Sequence, residues 1–299
     1  MSSLAPTRIE TPRITMNVWT SGPHDGVPLL LVHGNLSSGG FWKYVAEELG
    51  DDVRVIAPDM RGFGDTDPAP IDATRGLGDM VDDVHALLDA LGLAGQSKVN
   101  AAGWSMGGGV LQQLMLEYPD DLASVTLIAP LSPYGYGGTK GPDGERCTAD
   151  AAACGAGGAN QMFISRLVAK DASEDWPGLA TGDKGILNTM SPKYYDSSAI
   201  ADLERKPEIV WLRGTEDKVV SDASLFDLAT LGQMGAIPGW PGDEVAPPQP
   251  MELQTRTVLD RYRENGGAAT EAVLEGIDHG IPLAVPARVA EEITRILVR

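Results

Sequence analysis

The chain predicts an α/β fold: a mostly parallel open sheet with helices on both faces and a lid inserted before the strand that carries an acidic residue. Three observations lead there. Strand-like runs at 28–32, 53–57, 98–102, 125–129 and 209–212 are short, and most are apolar throughout, as fully buried strands are. Between them lie runs with helical apolar spacing, such as Met80, Val81, Val84, Leu87, Leu88 and Leu91. One junction of strand and helix reads Gly103, Trp104, Ser105, Met106, Gly107, the spacing G-x-S-x-G.

Taken in order, residues 13–20 alternate as an edge strand does, and the apolar run from Pro28 to Val32 ends in His33, Gly34 and Asn35. The small residues that follow, Leu36 to Gly40, form a loop able to turn backbone N–H groups inward. His33 is read as shaping this loop rather than moving protons. A helix at 41–49 and a strand at 53–57 precede the glycine-punctuated turn Asp59 to Asp67, in which Arg61 among carboxylates reads as a loop clamp. His85 falls among the polar positions of the helix at 79–91 and is expected to be exposed. After Ser105, Val110, Leu111, Leu114 and Met115 give the next helix its apolar stripe, and the three glycines at its start require close backbone packing.

From Pro130 to Pro207 the alternation of strand and helix stops, with helices expected only at 160–169 and near Ile200. So long an interruption reads as a lid. The rhythm resumes with the strand 209–212 and Arg213 to Asp217. A second insertion, 225–250, precedes a helix at 251–265, a short strand at 272–274, the loop Gly276 to Pro282 and a last helix with Val289, Ile293, Ile296 and Leu297 on one face. The expected organisation is a core of 1–130 and 208–299, a lid of 131–207, and the insertion 225–250 near the site.

The net charge of −19 repels nucleic-acid phosphates and anionic membrane surfaces. No apolar segment reaches the roughly 18 residues of a membrane span, and the start MSSLAPTRIE lacks an apolar signal core, so a cytoplasmic protein is expected, with export left open. Cys147 and Cys154, the two cysteines, could close a small disulfide loop or stay as thiols. Without histidines nearby, they do not suggest a metal site.

A serine hydroxyl needs a base to take its proton, and the base needs an acid to fix its tautomer. Ser105 sits where a sharp strand-to-helix turn would lift its oxygen clear of the sheet, His279 follows the last strand, and Asp217 follows the strand before it. Asp222 and Glu216 are rivals to Asp217. The N–H groups of Met106 and Asn35 are the expected oxyanion donors, with the Asn35 side-chain amide as a further source.

In H-G-N at 33–35, D-M-R-G-F-G at 59–64, G-W-S-M-G-G at 103–108, G-T-E-D at 214–217 and D-H-G at 278–280, the chain resembles the α/β-hydrolase family. The branch it resembles holds esterases, lactonases, cofactor-free haloperoxidases and carbon–carbon bond hydrolases. The resemblance implies the α/β-hydrolase fold with Ser105 as nucleophile, His279 as base and Asp217 as orienting acid. It also implies cleavage of a small ester or lactone without cofactor or metal, in a monomer or homodimer. Epoxide hydrolases and haloalkane dehalogenases resemble the pattern too, but carry Asp where this chain has Ser105. A slow-turnover ligand-binding receptor on the same scaffold is the alternative from another class. Trp104, Leu36 and Trp240 are expected at the pocket, together with Phe163, Trp176, Leu225, Phe226, Leu228, Leu231 and Met234 from the two insertions.

Overall fold

The computed structural model describes residues 3–147, 185–236 and 240–298. Among them, one sheet holds eight strands: β1 (Ala5–Glu10), β2 (Thr15–Ser21), β3 (Val27–Val32), β4 (Val53–Pro58), β5 (Val99–Trp104), β6 (Leu122–Ile128), β9 (Glu208–Gly214) and β10 (Ala269–Leu274). A separate two-stranded ladder joins β7 (Thr139–Lys140) to β8 (Glu145–Arg146). The large sheet runs β1-β2-β4-β3-β5-β6-β9-β10, antiparallel where β2 meets β1 and β4 and parallel elsewhere.

The period of two along the strands divides the core into two faces. Leu30, Val32, Val99, Ala101, Val125, Leu127, Ile209 and Trp211 face one side, packing with α2 (Gly78–Ala90), α3 (Met106–Glu117) and, beyond a short helix α4 (Leu228–Gln233), α5 (Met251–Glu264). Leu29, Leu31, Val55, Ala57, Ala102, Ile128, Val210 and Leu212 face the other. There they meet Val45 of α1 (Lys43–Glu47) and, past the single turn α6 (Ile281–Ala284), Val289 and Ile293 of α7 (Pro286–Arg295). Two separate apolar clusters on a parallel sheet are what near-continuous hydrophobic strands require.

Two expectations need correction here. Residues 13–20 are not the edge: β1 lies outside β2 and pairs along it from Ala5 opposite Thr20 to Glu10 opposite Thr15. That outer strand is almost wholly exposed, so ladder hydrogen bonds rather than an apolar pattern make it a strand. His85 is not simply exposed either. Its Nδ1 lies 2.7 Å from Asp121 Oδ2, and its ring stacks on Tyr118 at 3.8 Å, tying α2 to the turn before β6.

The glycines after Ser105 pack as tightly as their number implies. A Cβ on Gly107 would lie 2.2 Å from the Val32 carbonyl oxygen, and one on Gly108 would lie 2.6 Å from Pro130 Cβ. The helix expected at 160–169 lies outside the described residues, as do Phe163, Trp176 and Cys154, and with Cys154 the disulfide. Near Ile200 a 3-10 turn, Ser198–Asp202, forms instead of an α-helix. Among the described residues no helix is long and apolar enough to cross a membrane.

Candidate active site

The site lies at the C-terminal edge of the parallel strands, where an open α/β sheet leaves its crevice. Ser105 follows β5 directly and adopts φ 57° and ψ −120°, which for a residue with a side chain costs about 1–3 kcal/mol of backbone strain. Its amide donates to the Ile128 carbonyl at 2.9 Å, and its carbonyl accepts from Gly108 N–H at 3.0 Å and Leu131 N–H at 3.0 Å. A Cβ on Gly103 would lie 2.4 Å from the Gly107 carbonyl oxygen, so the turn closes only with glycine there. Met106 opens α3, and the N–H of a first helical residue has no partner within its own helix.

The loop after β3 is anchored at both ends. His33, wholly buried, accepts the Met60 N–H on Nε2 at 2.9 Å and reaches the Gly34 carbonyl through Nδ1 at 2.7 Å. Burial pushes its pKa below the usual histidine value, and both nitrogens are engaged, which makes it a structural residue. At the other end Gly39 N–H donates to Asp59 Oδ1 at 2.7 Å. Asp59 also accepts from Trp19 Nε1, Asn17 Nδ2 and Asp65 N–H, at 3.1, 2.9 and 2.8 Å. Arg61 turns away from the site and grips Asp83 with Nε and Nη2 at 2.7 and 2.8 Å, the clamp its setting implied. Between the anchors, Asn35 Oδ1 accepts the Leu36 N–H at 3.0 Å and Leu36 takes a φ of 61°.

His279, on the loop after β10, places Nδ1 2.8 Å from Asp217 Oδ2. Asp217 is 3% exposed, and its Oδ1 accepts the N–H groups of Val219 and Val220 at 2.7 and 2.9 Å. The two rivals are committed elsewhere: Asp222 accepts at the start of α5 from Glu252 and Leu253 N–H at 2.8 and 3.2 Å, and Glu216 lies 3.5 Å from Lys218 Nζ at the surface. Geometry thus brings Asp217, and neither rival, to His279.

Ser105, Met106, His279, Asn35, Leu36 and Trp104 all line one cavity of about 310 Å3. Its remaining wall is Ser37, Phe41, Leu131, Tyr136, Leu187, Met190, Val219, Val220 and Phe226; among the described residues no Asp, Glu, Lys or Arg lines it. Such a wall is apolar with few polar groups, as small-molecule sites are.

The alpha/beta hydrolase fold model matches residues 27–142. 2-Hydroxymuconate semialdehyde hydrolase from Pseudomonas sp. (strain CF600) is 34% identical over 118 residues, 38% of this chain, and the chain spans only 40% of that relative's length. Among solved structures, bromoperoxidase from Bacillus anthracis superposes with a TM-score of 0.62 at 20% identity, covering 98% of this chain and 99% of that one. A thermophilic esterase from Thermogutta terrifontis gives a TM-score of 0.59 at 21% identity, covering 97% of each chain. The chain has the α/β-hydrolase fold.

In this α/β-hydrolase-fold chain the pocket wall differs from what the sequence indicated. Trp240 is absent from the lining: its indole N–H donates to the Ala246 carbonyl at 2.9 Å, and its ring packs so closely on Gly232 that a Cβ there would lie 2.6 Å from Trp240 Cγ. It belongs to the packing of its own insertion. Of the other apolar residues expected from 225–250, Phe226 lines the cavity, while Leu225, Leu228, Leu231 and Met234 do not, Met234 being 65% exposed. Sequence reasoning did not name Phe41, Leu131, Tyr136, Leu187, Met190, Val219 or Val220 for this wall. Tyr136 is half-buried, desolvation of its hydroxyl raises its pKa, and that hydroxyl bonds to the Val219 carbonyl and, at 2.7 Å, to Ser224 Oγ. The apolar pair following Asp217 was a usable signal; nothing marked Tyr136.

The Asp59 anchor gives a first expected result. Asp59→Ala leaves four donors in a nearly dry site, since Asp59 is 1% exposed, and the fold should lose on the order of 3 kcal/mol. Urea unfolding would show it, and an unchanged midpoint would mean that water replaces the carboxylate without cost.

Proposed function

We propose that the protein is a serine hydrolase that cleaves a neutral carboxylic ester or lactone through an acyl-enzyme on Ser105. The observation that carries this reading is a serine on a strained strand-to-helix turn sharing one apolar cavity with a histidine whose other nitrogen faces a buried carboxylate. Asp217 accepts a hydrogen bond from Nδ1–H, which keeps the proton on Nδ1 and leaves the lone pair on Nε2. His279 takes the Ser105 proton as Oγ attacks the carbonyl, and Asp217 stabilises the imidazolium that results. The tetrahedral oxyanion is held by the N–H groups of Met106 and Asn35. His279 then returns the proton to the leaving alcohol as the carbon–oxygen bond breaks. Water, deprotonated by the same histidine, attacks the acyl group, and Ser105 leaves with its proton restored.

The wall supports a neutral substrate, because no described side chain of the cavity carries a charge to pair with a carboxylate. A second reading, carbon–carbon bond hydrolysis, is favoured by the 34% identity to 2-hydroxymuconate semialdehyde hydrolase. We take the segment 131–207 as a lid, and Leu131, Leu187 and Met190 from it join Val219, Val220 and Phe226 in the apolar wall.

Sustained turnover of p-nitrophenyl acetate, absent in Ser105→Ala, tests the reading; a single burst without turnover would favour the receptor alternative. Phe226→Ala should raise KM about tenfold for a hexanoate or benzoate ester and little for acetate, as expected when buried aromatic contact is lost from a substrate pocket. Trp240→Ala should leave that ratio unchanged. Equal effects of Phe226→Ala on long and short esters would place the acyl group elsewhere.

A further inference from the structure

Trp104 stands between Gly103 and Ser105 at the very end of β5, and its indole reaches across to the loop that bears His279. Nε1–H donates to the His279 main-chain carbonyl at 2.8 Å. The indole ring lies 5.3 Å from the imidazole at a tilt of 41°. On another side it stacks on Phe41, with centroids 4.4 Å apart and planes within 10°. Gly34 gives it room, since a Cβ there would come within 2.7 Å of Trp104 Cε3 and 3.0 Å of Ser105 Cβ. One side chain therefore touches the oxyanion loop, the turn after it and the base, from a strand end fixed in the middle of the sheet.

We propose that Trp104 is a positioning residue for His279: its indole N–H fixes the main chain of the base, and its ring favours the imidazolium formed during reaction. The inference rests on the reading of His279 as general base. The loop it steadies is bounded by glycines, Gly276 at φ 70° and Gly280, and its first half is tied down through Gly276 N–H to Thr215 Oγ1 at 2.9 Å and Glu216 N–H to the Ile277 carbonyl at 3.0 Å. Those ties lie before His279, and the Gly280 carbonyl is held after it by Leu283 and Ala284 N–H at 2.9 and 3.0 Å; at His279 itself Asp217 holds the imidazole and the indole holds the main-chain carbonyl. Placement matters because a shift of about 1 Å in a reacting group can cost on the order of a hundredfold in rate. An indole whose centre is within about 6 Å of a cation also attracts it. The residue beside the nucleophile thus sets the base, so that both move as one unit with β5.

The test uses two variants and a small acetate ester, whose acyl group makes little use of the pocket wall. Trp104→Phe keeps a ring and removes the N–H; site-specific replacement of Trp104 by benzothienylalanine removes the N–H and keeps the indole shape. Both should lower kcat about tenfold with KM within about twofold, the loss of one hydrogen bond made to hold the base. Trp104→Leu, which removes the ring as well, should lose more and move the acid limb of the kcat/KM profile to lower pH. In the Ser105→Ala background, the His279 imidazole NMR signals should shift on Trp104→Phe. Unchanged kcat with raised KM in the benzothienylalanine protein would overturn the proposal and leave Trp104 as pocket wall. Unchanged imidazole signals would do the same without any appeal to turnover. Absence of turnover in the unmodified protein would overturn the hydrolase reading, a result those signals distinguish from failure of the positioning role.

Discussion

Ser105→Ala, His279→Ala and the double variant are each expected to lose about 10^4- to 10^6-fold in kcat on an activated ester, with the double no worse than either single variant. On the proposed mechanism the hydroxyl is a weak nucleophile until Nε2 removes its proton, and Nε2 has nothing to do once the hydroxyl is gone. On the same mechanism, rate remaining in all three would come from the N–H groups of Met106 and Asn35, which none of the changes touches. Parallel measurement of kcat on one ester, with urea midpoints to confirm folding, checks it. Losses that multiply in the double variant would mean that another base serves Ser105. His33 could not be that base, because its two nitrogens are engaged by Met60 N–H and the Gly34 carbonyl.

Asp217→Asn should cost about 10^4-fold in kcat with little loss of stability, whereas Asp222→Asn should keep nearly full activity. An amide in place of Asp217 can still accept the Val219 and Val220 N–H groups through its oxygen, so the turn survives. The nitrogen then faces His279 Nδ1 and donates to it, which moves the imidazole proton to Nε2 and removes the lone pair that Ser105 needs. Asp222 instead accepts two N–H groups at the start of α5, so its replacement bears on that helix and not on the site. Steady-state kinetics of the two variants decides the assignment. A fully active Asp217→Asn protein would end the claim that Asp217 orients the base.

What the sequence by itself determined is the frame. Buried strands declare themselves by continuous apolar runs whose alternate residues face opposite ways. Leu29 and Leu31 lie on one face of the sheet and Leu30 and Val32 on the other, as that pattern requires. Gly103 and Gly107 are legible for a similar reason: the turn that strains Ser105 leaves no volume for a Cβ, so the constraint is written locally. The order of Ser105, Asp217 and His279 along the chain follows from which strands end at one edge, and it too could be read without coordinates.

Other features depend on atoms far apart in the sequence. Only the tertiary structure separates Asp217 from Asp222, five residues on, because the difference is whether a carboxylate meets His279 or the N-terminus of α5. Only packing decides that Phe226 reaches the cavity while Trp240 turns to Gly232 and Ala246, since both are large aromatic residues in one insertion and composition treats them alike. The outer strand 5–10 also escaped pattern reading, because its stability lies in backbone hydrogen bonds to β2 and not in a buried face. Trp104 shows the boundary most directly: its place beside the serine is local, but its bond to the His279 carbonyl spans 175 residues and exists only when β5 and the loop after β10 come together.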